Sequence, residues 1–156
     1  MNRPLIALAL VAATPAHAAF NPVEFFRGHS HGDGVLKVIF RSPERIGVDS
    51  EGSTEKDGSL LLKQVIDEPG KPVRTRYWRM RQTAPGIFEG TLTDAASPVR
   101  VEVAKGGIRI RYTGKDHLNF DQLLVPVSPT EVLNHMRVKR FGIVVAHFEE
   151  TIRKGE

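Results

Sequence analysis

Cysteine is absent from all 156 residues, which excludes disulfides, thiolate metal sites and cysteine nucleophiles. It also excludes the lipidated N-terminal cysteine of bacterial lipoproteins. Long apolar runs are missing too. The longest, Leu5 to Ala13, is too short to cross a bilayer comfortably. No Gly-x-Ser-x-Gly elbow occurs, so the usual α/β-hydrolase signature is lacking. Tryptophan appears once and tyrosine twice. What the first residues do contain is an export signal. Met1-Asn2-Arg3 is a short cationic start, Leu5 to Ala13 an apolar centre, and Ala16-His17-Ala18 a small-x-small cleavage pattern. Residues 1–18 are therefore expected to be a cleavable signal peptide. Residues 19–156 are expected to form one domain, free in the periplasm of a Gram-negative bacterium and not lipid-anchored.

Downstream, the pattern is strand and turn almost throughout. Val99, Val101 and Val103 alternate with Arg100 and Glu102, and Ile108, Ile110 and Tyr112 with Arg109 and Arg111. Period two with one apolar face is the mark of a half-buried antiparallel sheet. Strands are read at 34–41, 44–54, 59–67, 73–82, 87–93, 99–104, 108–113, 118–127, 131–138 and 143–153, with Gly47 and Gly52 as candidate bulges. Lys56-Asp57-Gly58 and Lys105-Gly106-Gly107 supply hairpin turns. A meander of about eight to ten strands closes most simply into an all-β, lipocalin-like up-and-down barrel. Such a barrel can hold one small apolar ligand.

Several short motifs recur in order along the chain: Phe25-Phe26-x-Gly28 before Gly32-x-Gly34, Arg76-x-Trp78-Arg79, and Gly86-x-Phe88-x-Gly90 before Thr93-Asp94. Val132-Leu133-Asn134-x-Met136 then precedes Lys139-x-Phe141-Gly142. Together they resemble a bacterial envelope family catalogued as domain of unknown function 3833. The resemblance implies an exported lipocalin-like barrel, often a lipoprotein, and a connection to lipids through neighbouring genes for fatty acyl-modifying enzymes. It supplies no reaction and no catalytic residues. This chain departs from the family in lacking the lipidated cysteine, and in lacking an acidic-tryptophan stretch within Leu118 to Pro129.

The candidate ligand-binding residues are Arg76, Trp78, Met80, Phe88 and Tyr112. Arg74, Arg76, Trp78 and Met80 share one strand face. An arginine near the barrel mouth could clamp a carboxylate, with aromatic and aliphatic side chains lining the sleeve below. The alternative is a core role, with Trp78 as a plug and Arg76 stacked over it. Gly90 leaves room for a ligand or for a bulky neighbour. His29 and His31 lie two apart beside Asp33 and are weak metal-ligand candidates, but a metal site needs three or four ligands. The glycines around them read more simply as a flexible entry to the first strand.

The formal charge is +4, and loss of Arg3 with the signal lowers it by one. Export makes nucleic acid an unsuitable partner for this basic chain. An acidic ligand or an anionic membrane surface fits better, and Arg137, Lys139 and Arg140 around Phe141 could touch such a surface. No cofactor is implied. The leading expectation is a non-enzymatic binder of a fatty acyl or other lipid-like ligand. The rivals are a filled-barrel interaction protein of the envelope and an enzyme acting on lipid.

Overall fold

Alternating apolar residues become strands because each buried face needs a partner sheet, and here the sheet wraps round to cover itself. The computed structural model describes residues 20–155. The expected signal peptide at 1–18 lies outside the described residues. One helical turn, α1 (Pro22–Phe26), precedes β1 (Gly28–Val38), β2 (Glu44–Thr54), β3 (Leu60–Asp67), β4 (Arg74–Ala84) and β5 (Ile87–Leu92). β6 (Val99–Ala104), β7 (Gly107–Thr113), β8 (Asn119–Ser128), β9 (Glu131–Arg140) and β10 (Ile143–Lys154) follow. Each strand pairs antiparallel with its neighbour in sequence, and β1 with β10, so the barrel is closed. Closure removes the unpaired edges that invite aggregation.

Turn chemistry sets the registers. At the β2–β3 turn, Gly58 takes φ +80° and Asp57 Oδ1 accepts from the Ser59 amide at 3.0 Å. That is the Asp-Gly geometry read from the sequence.

The first strand starts and ends earlier than the sequence suggests, since residues 39–41 form the turn into β2. Gly28 to Asp33 is not a flexible entry but the first half of β1, paired on both sides with β2 and β10. Its glycines make room for neighbours. A Cβ on Gly32 would lie 2.0 Å from Glu150 Oε1, and one on Gly34 2.4 Å from the Phe148 ring. Gly47 and Gly52 do not mark bulges, since β2 keeps continuous register with β1 and β3. The register shifts fall instead at Gln82/Ala84, Pro126/Ser128 and Val144/Ala146. Gly52 serves another end, because the Phe26 carbonyl oxygen lies 1.8 Å from where its Cβ would be.

That contact belongs to α1, a helix the strand pattern did not announce. Asn21 caps it by accepting from the Val23 amide at 2.9 Å, and Pro22 opens its first turn. The Asn-Pro pair ahead of Glu24 was the available signal. Phe25 and Phe26 are buried and meet edge to face at 5.0 Å. They close one end of the barrel over Leu60, Leu62, Met80, Phe88 and Val132. Each such side chain contributes about 1.5–3 kcal/mol by leaving water. One half of the interior is thus solid core, and the other half is open.

Candidate functional site

The inward rows of the strands are apolar except at mid-barrel, where polar residues interrupt most of them. β1 has Ser30, β2 Ser50, β3 Gln64, β4 Arg76, β8 Gln122, β9 Asn134 and β10 Glu150. Cross-strand register sets Ser30 beside Ser50, Ser50 beside Gln64, Gln64 beside Arg76, and Asn134 beside Glu150. The result is a buried polar floor between the solid half and the open half. A single polar residue in each alternating strand was a readable signal, and reading the strands one at a time missed all of the floor but Arg76.

Hydrogen bonds tie one side of this floor together. Gln64 Oε1 accepts from Trp78 Nε1 at 2.6 Å and from Arg76 Nε at 2.8 Å, while Gln64 Nε2 donates to Ser50 Oγ at 3.1 Å. The Arg76 guanidinium stacks over the Trp78 ring at 5.4 Å. Tyr112 meets Trp78 edge-on at 5.8 Å and stacks on Phe120 at 4.7 Å. Among the described residues, no carboxylate lies within 4 Å of Arg76, and its terminal nitrogens have no hydrogen-bond partner. Burial therefore pushes Arg76 below its ordinary pKa, with the nearby Tyr112 opposing. Burial likewise raises Tyr112.

Across the floor, Glu150 Oε2 accepts from Asn134 Nδ2 at 2.9 Å. Burial raises the Glu150 carboxyl above the usual carboxylate range, against the pull of Asn134 and Arg76. A raised carboxyl binds its proton more tightly when folded, so its contribution to stability is greatest at acid pH. That contribution is lost as pH rises through the folded pKa. Glu150→Gln should flatten the decline in unfolding free energy between acid and neutral pH. Denaturant titrations across that range check this, and an unchanged slope would assign the effect elsewhere.

Above the floor opens a cavity of about 520 Å³, within the range of about 300–1,000 Å³ typical of small-molecule sites. Leu36, Val38, Ile46, Val48, Ile66 and Phe148 give it an apolar wall, and Arg76 and Tyr112 line its base. At the mouth, Arg74 Nη1 binds Asp94 at 2.9 Å and Arg74 Nε binds Glu68 at 3.3 Å. Lys71 Nζ adds a 2.6 Å bond to Glu68. Burial pushes the Glu68 carboxyl up, but the bonds from Lys71 and Arg74 outweigh it and hold the pKa low. Arg74 is thus neutralised by acids, and Arg76 is not.

The five residues singled out from sequence therefore separate. Arg76 and Tyr112 face the cavity. Trp78, Met80 and Phe88 do not line it: they belong to the solid core, because their inward positions lie nearer the closed end. Trp78 is the plug beneath Arg76. Gly90 faces backbone rather than a ligand, with the Arg79 carbonyl oxygen 1.8 Å from its Cβ position. The sleeve is built instead from β1, β2, β3 and β10, with Phe120 of β8 and Met136 and Val138 of β9.

The two candidate metal-binding histidines lie on the outer wall. His31 Nδ1 bonds Asp49 Oδ1 at 2.7 Å, and its Nε2 lies 3.3 Å from Asp33 Oδ1. The Asp49 bond raises the His31 pKa, with burial opposing. Among the described residues no cluster of three or more such side chains is arranged to hold a metal ion.

Solved structures share this architecture. The S-type phycobiliprotein lyase CPES from Guillardia theta aligns with a TM-score of 0.70 at 9% identity, over 86% of this chain and 90% of that one. A protein of unknown function from the DUF3598 family of Nostoc punctiforme PCC 73102 aligns with a TM-score of 0.65 at 16% identity. That alignment covers 92% of this chain and 53% of the other, so the chain spans about half its length. Likeness at such identities shows the fold alone. No curated protein matches the chain. The family model for "Protein of unknown function (DUF3833)" matches residues 10–154, nearly the whole sequence. The ordered motifs and the closed barrel thus have a common explanation: the chain belongs to the DUF3833 family.

Proposed function

We propose that the protein is a non-enzymatic binder of an amphipathic ligand with one anionic head, an acyl chain carrying a carboxylate or a related lipid, and that it works in the periplasm. The observation that carries this reading is Arg76. A half-buried guanidinium whose terminal nitrogens have no hydrogen-bond partner among the described residues sits at the base of an apolar-walled cavity. Placing a cation there without a counter-charge costs stability, and an anionic head would offset that cost with charge-assisted hydrogen bonds. The Tyr112 hydroxyl lies on the same base and has no hydrogen-bond partner among the described residues, so it can donate to the same head. Leu36, Val38, Ile46, Val48, Ile66 and Phe148 would take the chain. A filled-barrel interaction protein is less well supported, since half of the barrel is not filled. The periplasmic setting rests on the Ala16-His17-Ala18 cleavage pattern.

Native mass spectrometry of protein purified from a periplasmic extract, followed by organic extraction, tests this reading. The expected result is a bound mass that extracts as a fatty acid or anionic lipid. A clean apo mass, with no uptake from an added panel of fatty acids and phospholipids, would overturn it.

A further inference from the structure

Hairpin tips ordinarily carry Gly, Asn or Asp, because tight turns need positive φ and water covers them. Two tips at the open end break that rule with phenylalanine. Phe40, between β1 and β2, has φ +62°, and Phe141, between β9 and β10, has φ +50°. Both are bulky residues in a region that favours glycine. The Arg41 amide donates to the Val38 carbonyl at 3.1 Å, which puts Phe40 at the turn position that most wants glycine. Phe141-Gly142 is a two-residue loop with positive φ at both positions, a geometry suited to Asn-Gly. Local preference is overridden twice, and both rings point into solvent: Phe40 is fully exposed and Phe141 is 89% exposed.

These tips are neighbours. β1 pairs with β10, and the Ile39 amide donates to the Val145 carbonyl at 3.0 Å. Ile39 and Ile143 flank the two rings and are exposed as well. Beneath them, Leu36, Val38, Ala146 and Phe148 continue the apolar wall into the cavity. Around the tips stand Lys37, Arg41, Lys139 and Arg140, with Arg140 over the Phe141 ring at 5.6 Å. Among the described residues no carboxylate lies within 4 Å of these four cations. At the same end Glu68 and Asp94 are engaged by Lys71 and Arg74, Glu44 lies 3.9 Å from Lys71, and Asp116 accepts from the Leu118 amide.

We propose that the Phe40 and Phe141 tips, with their ring of unpaired cations, form a docking surface for an anionic phospholipid bilayer at the mouth of the cavity. Exposed aromatic tips enter the headgroup boundary while cations outside them meet lipid phosphates. The charge fits that occupant, and the apolar path from tip to cavity gives a lipid chain a route that avoids water. The surface is separate from the ligand clamp and does not depend on what the cavity holds.

Vesicle flotation at low salt tests it, with mixed phosphatidylglycerol–phosphatidylcholine vesicles against pure phosphatidylcholine. The protein should float with the anionic vesicles and remain unbound with the neutral ones. A Phe40→Gly, Phe141→Asn double variant should lose about tenfold or more of the bound fraction. Its thermal midpoint should not fall, because both substitutions suit the observed turns, so lost binding cannot be laid to unfolding. Arg76→Ala should float like the parent, which separates this surface from the ligand site. Three results would overturn the proposal: no flotation of the parent, undiminished flotation of the double variant, or light scattering that shows a dimer of the parent which the double variant does not form.

Discussion

Arg76→Ala is expected to weaken binding of a long-chain fatty acid by about 10- to 100-fold while leaving the fold intact. A charge-assisted hydrogen bond contributes about 1.5–3 kcal/mol, and each 1.4 kcal/mol is about a factor of ten in affinity. The floor tolerates the change because Gln64 Oε1 keeps its 2.6 Å bond from Trp78 Nε1 and Gln64 Nε2 keeps Ser50. Removing a half-buried cation that has no carboxylate beside it should hold or slightly raise the thermal midpoint of the apo protein. Isothermal titration calorimetry with the fatty acid and its methyl ester separates the clamp from the sleeve. The acid should lose affinity in the variant and the ester should not. Equal losses for both would mean that Arg76 shapes the cavity without reading charge, and the head-group assignment would go.

Gly90→Ala should cost about 3 kcal/mol or more, among the largest stability effects expected of a single methyl here. The added Cβ would meet the Arg79 carbonyl oxygen at 1.8 Å and Met80 Cα at 2.9 Å. Both are backbone atoms of β4, so no side-chain rotation relieves the clash and the β4–β5 pair must part. Because β4 also carries Arg76, ligand affinity should fall with stability. Gly47→Ala is the control. Its nearest neighbour outside the local chain is 4.0 Å away, the His31 ring, and the strand is continuous there. It should lie within about 1 kcal/mol of the parent, on the stabilising side if anything. Urea titrations of the two variants check both, and equal midpoints would show that β4 and β5 can separate at little cost.

The motifs and the structure meet at particular residues. Gly32 and Gly34 seat Glu150 and Phe148, Gly90 lets two backbones touch, Asn134 bonds the buried carboxyl, and Phe141-Gly142 forms a rim tip. The glycine and asparagine roles could not be read from spacing, because each is defined by a residue on another strand, whereas the Phe141 tip is local and its basic flanks were legible. The helix α1 was missed for a related reason. Five residues carry no helical period, and only the Asn21-Pro22 cap marks its start.

Sequence alone determined the all-β class, the meander, the glycine-bearing turns and the faces of the β4, β6 and β7 strands, since alternation and Asp-Gly chemistry are local and act before any tertiary contact. It also put Arg76, Trp78 and Met80 on one inward row. Tertiary structure decided how deep each inward residue sits. Strand alternation has a face but no height, and height follows from barrel closure and from which end α1 covers. That is why Arg76 and Tyr112 reach the cavity while Trp78, Met80 and Phe88 fill the core below. The polar floor likewise exists only once β1 has met β10 and the separate polar residues stand at one level.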